Sequence, residues 1–241
     1  IMYAFKNVEG FSKFGSYTGN GSANGPIVET GFEPAFLMIK RSSDTGNWLL
    51  HDNKRTSSAT PHKLLFPNDS AAEQDKPYVN FLSNGFQIID ASSQTGGTNY
   101  TINGSTYIYM AFAADPDTEA PTLASSFNIE TYTGDGTSNR SITGLGFQPS
   151  LLWFKRRSPS RDHYLFDSVR GVGSGLYPNL NLPEFTVTSN DINSFDSDGF
   201  TIGQDNNTNS NGNPMVAWAW KADDNEPTIN EEGDIDSIVS A

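Results

Sequence analysis

Apolar residues along this chain alternate with small or polar ones over short stretches, which is the period of a pleated strand and not of a helix. In Met215-Val216-Ala217-Trp218-Ala219-Trp220 the bulky Val216, Trp218 and Trp220 fall on one face, and Ala217 and Ala219 fall on the other. Pro34-Ala35-Phe36-Leu37-Met38-Ile39 and Pro149-Ser150-Leu151-Leu152-Trp153-Phe154 are short apolar runs, each opened by a proline and closed by a Lys-Arg pair. Such runs read as strands buried on both faces, as in the middle of a sandwich. Between the runs, Gly19-Asn20-Gly21, Asn84-Gly85, Asn103-Gly104, Asp198-Gly199 and Asn211-Gly212 accept positive φ at little cost and imply several hairpins. The expected fold class is all-β.

The pattern occurs twice. Tyr17-Thr18-Gly19-Asn20-Gly21-Ser22 returns as Tyr132-Thr133-Gly134-Asp135-Gly136-Thr137, and Gly31-Phe32-Glu33-Pro34 as Gly146-Phe147-Gln148-Pro149, both at an offset of 115 positions. The same offset lays Lys40-Arg41 on Lys155-Arg156, Asp52 on Asp167 and Arg55 on Arg170. Further on it drifts as loops change length, so that Leu65-Phe66-Pro67-Asn68 meets Leu176-Tyr177-Pro178-Asn179. A repeat of this size buries its own core and is a domain, not a solenoid unit. The expected organisation is a first sandwich over 10–116, a second over 117–222, and an acidic linker or tail over 223–241. Residues 1–9 are expected to be a connector or the closing strand of a preceding copy, because Tyr3-Ala4-Phe5-Lys6 matches Trp218-Ala219-Trp220-Lys221; an unrelated edge strand is the alternative. The boundary is placed in the proline- and acid-rich stretch 114–121.

Charge narrows the partners. With 15 Lys and Arg against 28 Asp and Glu, the net charge is −13, so phosphate backbones and anionic headgroups are repelled: neither nucleic acid nor a membrane surface is an expected partner. No apolar run approaches the length of a membrane span. Without cysteine there is neither a disulfide framework nor a thiolate metal site.

Motifs of catalysis are missing. There is no Gly-x-Ser-x-Gly elbow, since Gly171-Val172-Gly173-Ser174-Gly175 has the wrong spacing, and no phosphate-cradling loop or dinucleotide fingerprint. The histidines, His51, His62 and His163, are scattered and never at i, i+4. No enzyme activity and no cofactor are expected, apart from a candidate Ca2+ site at Asp196 and Asp198 in Asp196-Ser197-Asp198-Gly199, for which a plain hairpin turn is the alternative. Asp52 and Asp167, each three residues before an arginine, read as ion pairs anchoring a strand end to its loop in preference to glycosidase carboxyls. Among aromatics, Tyr109, Trp153, Trp218 and Trp220 read as core, whereas Trp48 follows Thr45-Gly46-Asn47 in a loop and is a candidate for stacking on a sugar. The candidate ligand-binding set is Asn47, Trp48, Tyr164 and Asp167.

Phe14-Gly15-Ser16-Tyr17-Thr18-Gly19-Asn20-Gly21-Ser22, the stretch Gly31 to Arg41, Thr45-Gly46-Asn47-Trp48 and, in the second copy, Tyr164 to Gly171 and Phe195 to Thr201 resemble a repeated domain of large virion proteins of bacteriophages, especially marine and cyanobacterial ones. The resemblance covers nearly all of the chain short of its acidic tail. It implies two tandem antiparallel β-sandwiches, jelly-roll or lectin-like, in a tail fibre or other external virion protein. The implied partners are other virion proteins and host-surface glycans, with assembly as a homo-oligomer such as a trimer. A glycan-degrading tailspike hydrolase and a repeat module of a secreted bacterial adhesin are the alternatives. The loop Asp205 to Asn213 departs from the first copy, so the two copies are expected to differ in ligand preference.

Overall fold

The computed structural model describes residues 3–56, 63–89, 100–113, 126–186, 191–222, 228–230 and 237–239. His62 and the 114–121 boundary lie outside them. The first half carries nine strands: β1 (Ser12–Thr18), β2 (Ile27–Glu29), β3 (Pro34–Arg41), β4 (Leu49–Asp52), β5 (Lys63–Leu64), β6 (Gln74–Asp75), β7 (Val79–Leu82), β8 (Gly85–Ile88) and β9 (Thr106–Ala113). The second repeats them in order: β10 (Phe127–Thr133), β11 (Arg140–Thr143), β12 (Leu151–Arg156), β13 (His163–Asp167), β14 (Ser174–Gly175), β15 (Phe185–Thr186), β16 (Ile192–Asp196), β17 (Gly199–Ile202) and β18 (Pro214–Trp220). A 3-10 turn at Gly171–Gly173 is the only helical element among the described residues. The acidic stretch expected as a tail contains one antiparallel pair, β19 (Thr228–Asn230) with β20 (Ser237–Val239). Tyr3 to Asn7 form no strand.

Each half is an antiparallel sandwich. Its larger sheet has the order β1-β9-β3-β4, matched by β10-β18-β12-β13; its smaller sheet is β2-β8-β7, matched by β11-β17-β16. The hairpins closing the smaller sheets turn on Gly85 and Gly199, where an added Cβ would stand 2.1 Å from the Val28 carbonyl and 1.9 Å from that of Ile142. Only glycine fits against a neighbouring strand at such a distance. Because the first strand of each half pairs with the last, with Ser12 opposite Phe112 and Phe127 opposite Trp220, the chain enters and leaves each sandwich at one place. That arrangement suits domains strung in tandem.

Alternation along the larger sheets explains their unbroken apolar runs. Leu37 and Ile39 of β3, with Tyr107, Tyr109 and Ala111 of β9, face inward onto Val28, Val79, Phe86 and Ile88 of the smaller sheet and form the core of the first half. Leu152 and Phe154, with Ala217 and Ala219, do the same in the second half against Ile142, Phe200 and Ile202. The other faces meet each other. Phe36, Leu50 and Phe112 pack on Phe127, Ile129, Val216, Trp218 and Trp220 in a third core to which both halves contribute. The molecule is thus four sheets deep, with the two larger sheets in the middle. The sequence reading made each half self-sufficient; the structure adds this shared core, and it assigns the bulky face of β18 to it and the alanine face to the second half's own interior.

Like packs on like across the shared core. Phe112 and Trp220 hold the same place in their copies and meet ring to ring, with centroids 5.8 Å apart. Phe36 sits among Phe112, Phe127, Trp218 and Trp220 at centroid distances of 5.7 to 6.2 Å, all in edge-on geometry that suits the aromatic quadrupole. The match is confined to these strand ends: Trp218 of the second half covers Asp52 of the first, whereas Asp167 is covered by Tyr3 of the leading segment. Phe5 of the leading segment completes the cluster against Phe14, Phe112 and Trp220.

Candidate functional site

A carboxylate, an arginine and a second carboxylate form a polar grouping that occurs once per half. Asp52 ends β4, and its Oδ1 accepts from the Arg55 backbone N–H at 2.9 Å while Oδ2 accepts from Arg55 Nε at 2.6 Å. Arg55 Nη1 continues to Glu73 Oε2 at 3.0 Å. In the second half Asp167 ends β13, takes the Arg170 backbone N–H at 2.9 Å and pairs with the Arg170 guanidinium, whose Nε reaches Glu184 Oε2. Glu73 and Glu184 were not singled out from sequence. The signal was present, since the offset of 111 positions that aligns Leu65 with Leu176 also aligns them.

Each triad takes an aromatic donor from elsewhere in the chain. Trp218 of the second half donates its indole N–H to Asp52 Oδ2 at 3.0 Å, and the Arg55 guanidinium stands 5.7 Å from that ring's centroid. Tyr3 donates its hydroxyl to Asp167 Oδ2 at 2.8 Å. Tyr3 is the residue that the sequence match places on Trp218. Burial would raise the Asp167 carboxyl, but the Arg170 backbone and side chain and the Tyr3 hydroxyl hold it below its ordinary value. Burial and the same carboxylate push Tyr3 up to about 12, so it remains a donor. These charges are consumed in bracing strand ends, and Asp167, expected as a ligand contact, is a buried framework residue.

The first triad is also the anchor of the interface between halves. Arg157 reaches across and binds Glu73 with two nitrogens, at 2.9 and 3.0 Å. Beside it the loop after β12 pairs with residues 70–73, through Glu73 N–H to the Arg157 carbonyl at 2.8 Å and Arg161 N–H to the Ser70 carbonyl at 2.9 Å. Fully buried Lys155 donates to the Ser70 and Arg161 carbonyls, and burial lowers its ammonium to about 8. His163 accepts from Trp153 Nε1 at its Nδ1, 2.9 Å away, and lies 3.0 Å through Nε2 from the Phe66 carbonyl. That carbonyl only accepts, so the proton sits on Nε2 and the ring is neutral. Burial and the Lys155 charge lower His163 to about 3.

The other sequence candidates lie apart. Asn47 and Trp48 are half-buried at the end of the exposed 42–46 loop. They are tied to the neighbouring turn, with Trp48 N–H on Asn68 Oδ1 at 2.8 Å and Asn68 Nδ2 on Asn47 Oδ1 at 2.9 Å. The second half repeats this clasp as His163 and Asp162 on Asn179, so its polar bonds are framework and only the Trp48 indole face is left for a ligand. Tyr164, the remaining ligand candidate, is in the second core, with its hydroxyl bonded to Tyr177 and Asn207. Its position in an apolar alternation makes it core, so neither it nor Asp167 is a surface contact.

Asp196 accepts from Thr201 Oγ1 at 2.7 Å, and Asp198 caps a loop by accepting from the N–H groups of Gly146 and Gly144. These are turn bonds, and among the described residues no three acidic or imidazole groups gather to hold a metal. A pair that the sequence did not reveal is Asp191 with Asp205. Burial first, and the Asp205 charge second, push the Asp191 carboxyl up to about 7. Asp205 Oδ1 in turn takes the Asn207 backbone and side-chain N–H groups at 2.7 and 2.6 Å. Together with the Asp191 carbonyl, which accepts from Thr208 Oγ1 at 2.9 Å, these bonds brace the loop that is particular to the second half.

The chain matches the family model described as a domain of unknown function, DUF7483, over residues 1–116 and again over 123–241, and it belongs to that family. Neither a curated protein nor a solved structure matches it.

Two outcomes follow from the polar framework. Glu73 is 9% exposed and binds arginines from both halves, whereas Glu184 is 48% exposed and, among the described residues, binds one. Replacing Glu73 by Ala should therefore cost about 3–5 kcal/mol, and replacing Glu184 about 0–1 kcal/mol, in urea unfolding; equal losses would refute the assignment. His163 has a folded value of about 3 against an ordinary 6.5, so the unfolded chain takes up the proton first and stability is lost as pH falls from 6.5 toward 3. The difference in unfolding free energy between wild type and His163→Gln should shrink on acidification through that window, by up to about 1.4 kcal/mol per pH unit. A difference independent of pH would show that His163 is not held neutral.

Proposed function

We propose that this DUF7483 protein is a non-enzymatic structural and adhesion module on the external surface of a bacteriophage virion, as part of a tail fibre or similar protein. The observation that carries the proposal is the use of repeated charges. Asp52, Arg55 and Glu73, and again Asp167, Arg170 and Glu184, are spent on holding strand ends and joining halves, so what the copies share is scaffold. Adjacent entry and exit strands in each sandwich fit a module repeated along a fibre. The resemblance to virion repeats supplies the setting.

Adhesion falls to the loops. Residues 20–24 and 42–46 are exposed and rich in Asn, Ser, Gly and Asp, which bond sugar hydroxyls, and the half-buried Trp48 borders the second of these loops with an indole face suited to a sugar ring. On a glycan array of host surface polysaccharides the wild-type chain should bind, and Trp48→Ala should weaken binding about tenfold or more. Binding unaffected by Trp48→Ala would move the site elsewhere, and no binding at all would leave the spacer role alone.

A second reading, cleavage of host polysaccharide, draws on the raised carboxyl of Asp191 beside Asp205, the kind of pair in which one group donates a proton near neutrality. Release of reducing ends that disappears in Asp191→Asn would favour it. No release from wild type would remove it.

A further inference from the structure

The segment between β5 and β6 in the first half has a positional counterpart between β14 and β15 in the second: Asp69, Ser70, Ala71, Ala72 and Glu73 correspond to Leu180, Asn181, Leu182, Pro183 and Glu184. Another copy of the domain covers the first of these segments, because the loop after β12 binds it through Ser70, Ala72 and Glu73. There the side chains are small or polar. The second segment is uncovered, and it carries large apolar groups: Leu182 is 58% exposed and Leu180 is exposed too. Arg170 and Glu184, bonded to each other, hold it beside Val169, which is 80% exposed, and Val172. Val169 stands where the first half has Lys54. Of seven large apolar residues exposed on the described surface, four belong to this patch. Concentration of that kind on an otherwise acidic, polar surface marks a contact.

We propose that the 169–184 face of the second half is the surface through which two copies of this chain pair about a two-fold axis. Chemistry selects the occupant. The free loop equivalent to the covering one, residues 42–46 of the first half, is polar throughout and offers nothing to bury Leu180, Leu182 and Val169. A second copy of the same patch does. Arg170 and Glu184, bonded to each other, border the apolar groups and set no unpaired charge against a second copy. Among the described residues Glu184 engages one arginine, through Oε2, whereas its counterpart Glu73 takes two, one of them from another copy of the domain. The patch also adjoins the existing interface, because Arg170 donates to Tyr3 of the leading segment.

Sedimentation equilibrium of the full chain tests the pairing. Wild type should approach twice the chain mass as concentration rises through tens of micromolar, and Leu182→Glu and Val169→Asp should each weaken the dissociation constant about tenfold or more while near-ultraviolet circular dichroism stays unchanged. Since the chain lacks cysteine, Val169→Cys gives a second readout: a short bis-maleimide should join two chains through that one position. A wild-type chain that stays monomeric, association that survives Leu182→Glu, or failure of Val169→Cys to cross-link would each overturn the proposal.

Discussion

Burial of the second face of each larger sheet governs this structure. A sheet with large apolar side chains on both faces needs two partners, and a single sandwich supplies only one. The smaller sheet covers Leu37, Ile39, Leu152 and Phe154, which leaves Phe36, Phe112, Trp218 and Trp220 facing out of their own domains. Each half solves the problem for the other. Fully burying one such side chain is worth about 1.5–3 kcal/mol, so the aromatic contacts across the shared core outweigh any single ion pair at its margin.

The charged groups follow from that burial. Asp52 and Arg55 are enclosed when the second half closes over them, and an enclosed charge is tolerable only with its hydrogen bonds complete. From across the interface Trp218 donates to Asp52 and Arg157 binds the Glu73 that Arg55 also holds, and Tyr3 donates to Asp167 on the other side. The same closure leaves His163 neutral and lowers Lys155, because the interior around them excludes the water that would solvate a charge. The two sides differ: one is fastened by the loop after β12, and the other is met by the leading segment with its apolar flank left open.

Much of this was legible in the chain. Strict alternation in 215–220 fixed a strand with one bulky face, and the offset of 115 positions fixed the doubling, strand for strand. The unbroken runs 34–39 and 149–154 announced burial on both faces, yet not what covered the second face, since periodicity carries no information about a partner. For the same reason Tyr164 and Asp167 read as accessible when they are enclosed. Glu73 and Glu184 lay beyond the constant offset and were missed, and the Asp191–Asp205 pairing depends on a loop returning through space, which spacing does not encode.

The shared aromatic core makes the two halves one folding unit. Differential scanning calorimetry measures its unity most directly. If the shared core joins the halves, the full chain melts in one transition whose calorimetric and van't Hoff enthalpies agree, with a ratio of about one. Two resolved transitions, each carrying the enthalpy of a single sandwich, would show that the halves are independent and that the aromatic face between them contributes little.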